Sequence, residues 1–385
     1  MIGTYRFISG IRKFGGALWR RQLAQACIGT GLLLSSSVGM GQQNWTIGPF
    51  TRPVSAPVIT PDPKSTFFEP LSQKTVHWES NNTFNPAAVI RNGRIYVLYR
   101  AEDDSGEMKI GGHTSRLGIA SSEDGIHFTR QASPVFFASD DAQKDREWPG
   151  GVEDPRIVES EDGTYVLTYT QWNRKSTSIG IATSKDLTHW TKYGPIFSRK
   201  DRPEYRSYKS GGIVTQLVGD RLIATRINGK YWMYWGEVEI HLATSSDLIH
   251  WKAVEDARGH PVAVLSKRPG LFDSAFPEVG PPPVLTAKGI VLLYNGKNDT
   301  KHGAPGLDHG AYSVGQALFS SSDPSQLLKR MEEPFLKPEL EFEKSGQYVT
   351  GTTFAEGMVF FKQRWFLYYG CADSLVAVEV STGRS

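Results

Sequence analysis

The chain carries one twelve-residue phrase three times, as LGIASSEDGIHF at 117–128, IGIATSKDLTHW at 179–190 and IHLATSSDLIHW at 240–251. Two fainter copies follow at 314–319 and 376–380. Equivalent positions in the five copies are residues 120, 182, 243, 317 and 379, so the spacings are 62, 61, 74 and 62 residues. Strand-forming units that recur at such a spacing are typical of propeller blades, which close around a central channel. The repeat therefore predicts an all-β fold, a five-bladed β-propeller.

Each unit also contains a hairpin whose second strand ends in Tyr or Trp just before a polar cluster. These clusters are residues 100–103, 170–173, 236–237 and 295–296. Because the position recurs from unit to unit, we expect the clusters to gather at one mouth of the channel. We predict a single propeller domain over residues 81–385, preceded at 42–80 by a Pro-rich, extended and loosely structured lead-in.

Residues 1–41 have the pattern of an export signal. Basic residues at 12, 13, 20 and 21 precede an apolar stretch from about Leu23 to Val38, and glycines at 39 and 41 offer a cleavage site. The stretch is too short and too interrupted to be a convincing membrane span. We therefore expect an exported protein, periplasmic or secreted, in which only Cys371 remains after cleavage and no intrachain disulfide can form.

The composition excludes several classes of partner. The formal net charge is +3 over 385 residues, and no Lys/Arg run occurs after the export segment, so neither nucleic acid nor a membrane surface is expected as a partner. Ten Trp and fifteen Tyr give a weak indication of carbohydrate binding, although most will pack the core. The sequence has neither metal-ligand spacing nor a Gly-rich phosphate loop, so we predict no metal and no cofactor. The oligomeric state stays open.

The sharpest local motif is GGVEDPR at 150–156, just before the first strand of the second unit. Two adjacent carboxylates in a water-poor channel need a counter-charge, and Arg156 is near in sequence. A buried carboxyl group has a raised pKa and can act as a general acid. Since side chains alternate along a strand, only one of Glu153 and Asp154 should face the channel. Taken alone, the motif could equally be a turn with a structural Asp–Arg ion pair.

The motif GVEDPR and the three repeats, together with RINGKY at 226–231, GPPP at 280–283 and YYGCAD at 368–373, resemble glycoside hydrolase family 130. This family comprises β-mannoside phosphorylases and β-mannosidases, and the resemblance covers roughly residues 80–380. It implies an inverting mechanism with a single enzymic acid, to which Asp154 corresponds. In phosphorylases the second partner is inorganic phosphate, whereas in hydrolases a carboxylate activates water.

One departure from the phosphorylase pattern decides our expectation. Phosphorylases of the family usually carry His-Arg-Pro where this chain has Trp235, Gly236 and Glu237. A carboxylate there would repel phosphate and could deprotonate water. We therefore expect an exported inverting hydrolase of β-1,2- or β-1,4-linked mannosides, with Glu237 as the base and with Glu239 and Glu204 as less favoured substitutes.

Two alternatives stay open: a phosphorylase releasing mannose 1-phosphate and binding phosphate through Lys209, Arg226 and His241, and a non-catalytic glycan-binding propeller. Other polar positions match the family and are expected to bind the oligosaccharide substrate. They are Asn85, Arg100, Arg116, Arg156, Lys209, Asp273, Tyr312 and Asp373, with His113 as a further candidate.

Overall fold

A computed structural model of the chain describes residues 44–197, 205 and 207–382. The predicted export segment and Glu204 lie outside these residues. The described chain is all-β, as predicted, and its helices are limited to short turns such as α1 (Lys144–Glu147) and a 3-10 helix at Glu341–Glu343. No helix in the described ranges has the length and apolar character needed to cross a bilayer.

Three short strands come first: β1 (Phe50–Thr51), β2 (Phe67–Glu69) and β3 (Lys74–Val76). The next eight strands form two antiparallel series of four. The first series is β4 (Asn82–Arg91), β5 (Arg94–Glu102), β6 (Ser115–Ser122) and β7 (Thr129–Arg130). The second is β8 (Gly151–Glu159), β9 (Tyr165–Trp172), β10 (Thr177–Ser184) and β11 (Thr191–Pro195).

The middle of the chain is divided into shorter strands. They are β12 (Gly211–Ile213), β13 (Thr215–Val218), β14 (Arg221–Ala224), β15 (Arg226–Ile227), β16 (Lys230–Trp235), β17 (Ile240–Ser245), β18 (Trp251–Ala253) and β19 (Ala263–Leu265). Then follow β20 (Phe276–Val279), β21 (Val284–Thr286), β22 (Gly289–Lys297), β23 (Tyr312–Phe319) and β24 (Leu327–Arg330). The last three strands are β25 (Thr353–Phe361), β26 (Arg364–Cys371) and β27 (Leu375–Ser381).

The pairing of the described strands gives sheets of four, fifteen, six and two strands. Short parallel pairings join neighbouring series into the largest sheet: Ser115 of β6 lies opposite Gly151 of β8, and Glu159 of β8 lies opposite Ile223 of β14. The division into five separate blades therefore stays a prediction.

The repeated phrase is explained by one turn that follows the third strand of a series. In the first copy the carboxylate of Asp124 accepts hydrogen bonds from the backbone N–H groups of Ile126 and His127, at 2.9 and 2.8 Å. Asp186 and Asp247 accept the equivalent bonds in the other two copies. A short acidic side chain that bonds the backbone two and three residues ahead stabilises the turn locally. The recurrence therefore reflects turn chemistry.

The glycine in the repeat makes room for a buried tyrosine on the neighbouring strand. Tyr99 lies opposite Gly118, and a Cβ atom at Gly118 would stand 2.4 Å from the Tyr99 ring. Tyr169 and Gly180 make the same pair, where a Cβ atom would stand 2.5 Å from the ring. The rings are buried in two hydrophobic clusters, and both hydroxyl groups donate to buried carboxylates. Tyr99 in β5 and Tyr169 in β9 are thus packing features.

The segment before residue 81 is more ordered than its prolines suggest. Strand β1 pairs with β27, with Phe50 opposite Ser381. Ile59 forms a bridge with Val376, and Trp78 is fully buried against the first series. Strands at both ends of the described chain therefore complete one four-stranded sheet, β1-β27-β26-β25. The expectation of a loosely structured lead-in overlooked this pairing, because it joins residues more than 300 positions apart in the chain.

Arg52, which follows β1, links this edge of the sheet to the rest of the protein through ion pairs. Its guanidinium lies 2.8 Å from Glu343, which is fully buried, and 3.6 Å from Glu379. We predict that Arg52→Ala lowers the free energy of unfolding by about 3 kcal/mol, because it leaves the buried Glu343 carboxylate with hydrogen-bond donors but without its positive counter-charge. Arg94→Ala is the matched control, since the Arg94–Glu123 pair is exposed and such pairs contribute about 1 kcal/mol or less. Urea unfolding of both variants measures the difference, and equal losses would contradict the assigned role.

Candidate functional site

The candidate site begins at a bulge in β8. The register between β8 and β9 shifts between Glu153 and Arg156, and Asp154 has a φ of +49°. Such a bulge re-aims side chains that would otherwise alternate. Glu153 and Asp154 consequently line the same pocket. The expectation that only one of them faces the channel is wrong, because it assumed regular strand geometry.

Strand β4 carries a matching bulge opposite the first. Its register with β5 shifts between Phe84 and Pro86, and Asn85 between them has a φ of +46°. The Asn85 amide donates a 2.8 Å hydrogen bond to Oδ1 of Asp154. Two irregular backbone positions thereby place one carboxylate and its donor side by side. Backbone held in this sparsely populated region is often found at functional sites.

Arg100, from β5, supplies the positive charge beneath the carboxylates. Its guanidinium lies 2.6 Å from Glu102, 2.8 Å from Glu153 and 3.1 Å from Asp154. The same group lies over the ring of Phe84, 4.5 Å from its centroid. The counter-charge that the sequence led us to expect from Arg156 is therefore provided mainly by Arg100.

Arg156 has a different partner. Its guanidinium pairs with Glu356 at 3.0 Å and donates to the backbone oxygens of Val279 and Gly280 at 2.7 and 3.1 Å. It is buried below the pocket and is not among the residues that line it. Arg156 therefore links β8 to β20 and β25 through its hydrogen bonds and its ion pair. The structure does not place it where it could contact a sugar directly.

The two adjacent carboxyl groups have opposite pKa shifts. Burial would raise the pKa of Asp154, but Arg100, Lys209 and the hydrogen bond from Asn85 outweigh it and lower the pKa to about 2. Burial raises the pKa of Glu153 to about 7, against the opposing charge of Arg100. The raised pKa expected at Asp154 is thus found at Glu153. The reason is that Asp154 receives two donors on one oxygen and so keeps its charge.

Lys209 also lines the pocket, with its ammonium between two carboxylates. Its ammonium lies 3.4 Å from Glu278 and 3.6 Å from Glu237. Burial lowers the pKa of Lys209, but Glu278, Glu237 and Asp154 outweigh it and raise the pKa. Ser210 donates a 2.6 Å hydrogen bond to Glu278. The sequence showed no counter-charge next to Glu237. In the structure the Lys209 ammonium compensates the negative charge of this residue.

Seven of the predicted site residues meet in this pocket, which has a volume of about 360 Å³. One of them is Asp373, whose pKa is raised to about 6 by burial, against the opposing charge of Arg100. No set of three His, Cys, Asp or Glu side chains in the described ranges is arranged to hold a metal ion. The seven predicted residues in the pocket are Asn85, Arg100, Asp154, Lys209, Glu237, Tyr312 and Asp373.

Two further predicted residues are buried elsewhere in ion pairs. Arg116 contacts Glu69 at 2.6 Å and Asp103 at 2.8 Å, and its side chain is 1% exposed. Asp273 is fully buried between Arg268 and Arg330, at 2.7 and 2.6 Å. Their charges are compensated within the protein, and neither residue lines the pocket. The structure thus gives no sugar contact to Arg116 or Asp273.

The less favoured candidates also lie away from the pocket. Glu239 accepts a hydrogen bond from Ser266, and His241 packs 4.8 Å from the Trp235 ring. Arg226 lies over Tyr231 and donates to the backbone of Gly229 and Ser246, in a different surface depression. His113 is buried near Asn81 and Ser105. Of the phosphate ligands proposed from sequence, only Lys209 lies in the pocket.

Several lining residues were missed from the sequence. Glu278 directly precedes the GPPP motif, and Trp172 belongs to a polar cluster noted for its repeated position, so a signal existed for both. Lys297 follows the equivalent cluster at 295–296 and lies 5.1 Å from the Tyr312 ring. The other lining residues that sequence reasoning did not single out are Phe84, Ile110, Gly111, Thr177, Tyr348 and Phe354.

The shifted pKa of Glu153 leads to a prediction about stability. In the unfolded chain Glu153 ionises near pH 4.5, whereas in the folded protein its pKa is about 7. Between these values the folded state binds more protons, so the contribution of Glu153 to stability falls as pH rises. We expect Glu153→Gln to remove this loss. The free energy of unfolding of the variant should therefore rise relative to that of the wild type between pH 4.5 and 7, by at most about 1.4 kcal/mol per pH unit.

Urea unfolding at several pH values measures the gain. Glu161→Gln is the control, because Glu161 is an exposed turn residue and its substitution should leave the pH dependence unchanged. A Glu153→Gln variant whose stability ran parallel to that of the wild type over this range would contradict the raised pKa.

Comparison with known proteins places this geometry in a family. The family model described as beta-1,4-mannooligosaccharide phosphorylase, glycoside hydrolase family 130, matches residues 63–384. A 1,2-beta-oligomannan phosphorylase of Thermoanaerobacter sp. (strain X514) is 32% identical over 307 residues, covering 79% of this chain and 90% of the relative. A beta-1,2-mannobiose phosphorylase of the same strain is 27% identical over 317 residues, covering 80% and 92%.

Solved structures with higher identity share the whole fold. One, reported with the words "The GH130 family of mannoside phosphorylases contains glycoside hydrolases that target beta-1,2 mannosidic linkages in Candida mannan", is 50% identical, with a TM-score of 0.86. It matches 88% of this chain and 95% of that chain. The recognition of the family from sequence motifs is therefore confirmed.

The expectation of a hydrolase is corrected by these comparisons. The family model and both sequence relatives are described as phosphorylases. The expectation depended on Glu237 repelling phosphate, and it did not foresee that the Lys209 ammonium lies 3.6 Å from that carboxylate. The family model matches 322 residues of the chain, from 63 to 384. This chain therefore belongs to glycoside hydrolase family 130.

Proposed function

We propose that the protein is a β-mannoside phosphorylase, which transfers a mannosyl residue from a manno-oligosaccharide to inorganic phosphate and releases mannose 1-phosphate. The observation that carries the proposal is the Lys209 ammonium, which faces Glu237, Glu278 and the acid candidate Asp154 within one pocket. The phosphorylase names of its sequence relatives support the same reading.

The pocket offers two cations besides Arg100. Lys209 and Lys297 both line it, and Tyr312 lies beside Lys297. Arg100 is already engaged by three carboxylates and Lys209 by two, whereas the Lys297 ammonium lies against the Tyr312 and Tyr348 rings. A phosphate is therefore best accommodated near Lys209 and Lys297, where ammonium groups and the Tyr312 hydroxyl can donate to its oxygens.

The transfer itself needs one proton donor and one nucleophile. In our proposal the Asp154 carboxyl group gives its proton to the glycosidic oxygen, directly or through a sugar hydroxyl, and the bond from that oxygen to C1 breaks. A phosphate oxygen forms the new bond to C1 on the opposite face, so the configuration inverts. Asn85 and Arg100 hold the carboxyl group in place, and Asp373 is positioned to bind sugar hydroxyl groups.

The proton on Asp154 must be acquired when the substrates bind. Arg100, Lys209 and Asn85 lower the pKa of Asp154 to about 2, which favours the ionised group at neutral pH. A phosphate anion placed in the same pocket disfavours a second negative charge nearby and so raises the pKa of Asp154. We infer that phosphate binding is accompanied by uptake of a proton at Asp154.

We also infer that the strands form the five blades predicted from the repeat. The support is that the innermost strands β4, β8 and β25 each carry a bulge and contribute a polar residue at or beneath one pocket. Pairing of β1 with β27 would close such a ring. A crystal structure with mannose bound would test this arrangement directly.

The dependence on phosphate is the decisive test of function. Purified protein incubated with β-1,2- or β-1,4-mannobiose should release mannose 1-phosphate, and only when phosphate is supplied. Asp154→Asn should lower the rate by about 10²- to 10⁴-fold, the usual contribution of a general acid. Liberation of free mannose from both halves of the disaccharide at an equal rate without phosphate would refute the proposal.

Lys209 gives a second prediction. Lys209→Met should raise the KM for phosphate by about 10- to 100-fold, because a hydrogen bond to a charged group contributes about 1.5–3 kcal/mol, and should change the KM for the sugar much less. Lys288→Met, in the exposed turn between β21 and β22, is the matched control. A thermal melt checks that the variant folds, and an unchanged KM for phosphate in a folded Lys209→Met would exclude the assigned role.

A further inference from the structure

Trp172 and the loop at residues 104–113 form one side of the pocket, and the transfer to phosphate described above does not use them. Trp172, Ile110 and Gly111 all line the pocket. Ile110 is 54% exposed in the loop. A large aromatic ring and an exposed aliphatic side chain beside a charged pocket need an explanation, since apolar surface exposed to water is unfavourable.

The Trp172 ring is held in one orientation. Its Nε1–H donates a 3.0 Å hydrogen bond to the backbone oxygen of Gly111. On the other side, a Cβ atom at Gly150 would stand 2.2 Å from Cδ1 of Trp172, so no larger residue fits there. The polar edge of the indole is thus bonded to the loop, and its apolar faces are left for packing and for the pocket.

Strand geometry fixes the distance between this ring and the acid candidate. Trp172 is the last residue of β9 and lies opposite Gly151 in β8. Asp154 follows Gly151 by three residues, which corresponds to roughly 10 Å along a strand and somewhat less through the bulge. The segment that carries Asp154 therefore also leaves space for the Trp172 ring. It determines how far that ring lies from the Asp154 carboxyl group.

The two levels of the pocket have different chemistry. At the level of Asp154 the walls are amide, guanidinium and carboxylate groups, which suit sugar hydroxyls. Near Trp172 the wall consists of the indole, Ile110, Gly111 and Thr177, which lies opposite Trp172 in β10, and none of these side chains is charged. The face of an aromatic ring carries partial negative charge and attracts the positively polarised C–H groups of a pyranose. The upper level is thus suited to stacking with a sugar ring, and the lower level to binding the sugar through its hydroxyls.

We propose that Trp172, together with Ile110, is the platform on which the leaving sugar stacks, and that it determines which oligosaccharides are accepted. The mannosyl residue that is transferred occupies the polar level, and the glycosidic oxygen lies between the two at Asp154. The inference depends on the proposed function in one respect, that Asp154 marks the bond to be cleaved.

Binding without turnover tests the platform separately from the reaction. Isothermal titration calorimetry on Asp154→Asn would compare mannose, which fills the lower level alone, with β-1,2- and β-1,4-mannobiose. We expect at least one disaccharide to bind more tightly than mannose. Adding Trp172→Ala should weaken that disaccharide about tenfold, equivalent to about 1.4 kcal/mol, and leave the affinity for mannose within about twofold.

Three matched variants in the Asp154→Asn background complete the design. Trp172→Phe keeps an aromatic face and should retain most of the disaccharide affinity, while Ile110→Ala should weaken the disaccharide selectively but less than Trp172→Ala. Met108→Ala should have no effect, because Met108 is 71% exposed in the same loop and does not line the pocket.

Two kinds of result would overturn the platform: an equal loss for mannose and disaccharide in the Trp172 and Ile110 variants, or a disaccharide that binds no better than mannose to Asp154→Asn. Because no phosphate enters this experiment, a protein that failed the phosphate test could still pass this one. The two proposals can therefore fail independently.

Discussion

Compensation of buried charge is the constraint on which the site depends. The Arg100 guanidinium contacts Glu102, Glu153 and Asp154 within 3.1 Å, and all four groups are buried. Without it, three carboxylates would share a poorly hydrated space, and the cost of their charges would drive protonation or unfolding. The pocket is therefore assembled around a cation, and Asp154 keeps its low pKa because that cation and Asn85 face it.

Backbone irregularity is the second requirement, because a regular strand cannot present neighbouring side chains to one pocket. The bulges at Asn85 and Asp154 turn both side chains toward each other, across a hydrogen bond of 2.8 Å. A related bulge in β25 places Glu356 under the floor, where it pairs with Arg156. The arrangement of the pocket is thus a property of distorted strands, supported by regular strands that pack around buried tyrosines.

Local signals in the sequence led correctly to strands and turns, and they singled out several residues that the fold brings into one pocket. The repeated phrase predicted strands and turns, because its Asp side chains bond the backbone only two and three residues ahead. Seven of the ten predicted site residues line one pocket. Arg116, Arg156 and Asp273 were assigned to substrate from their charge and their match to the family, yet each is neutralised by partners such as Glu69, Glu356 and Arg330. A charged residue in a sequence does not show whether the fold supplies an oppositely charged side chain next to it.

The sequence by itself determined the all-β class, the recurring turn and the family, since each depends on residues close together in the chain. Only the tertiary structure decided which charges meet. Lys209 and Glu278 are 69 positions apart and Asn85 and Asp154 also 69, and these pairs set the ionisation of the pocket. The identity of the main counter-charge, Arg100 with a smaller contribution from Arg156, and the compensation of Glu237 by Lys209 follow from strand packing, because electrostatic energy depends on distance in space and on burial.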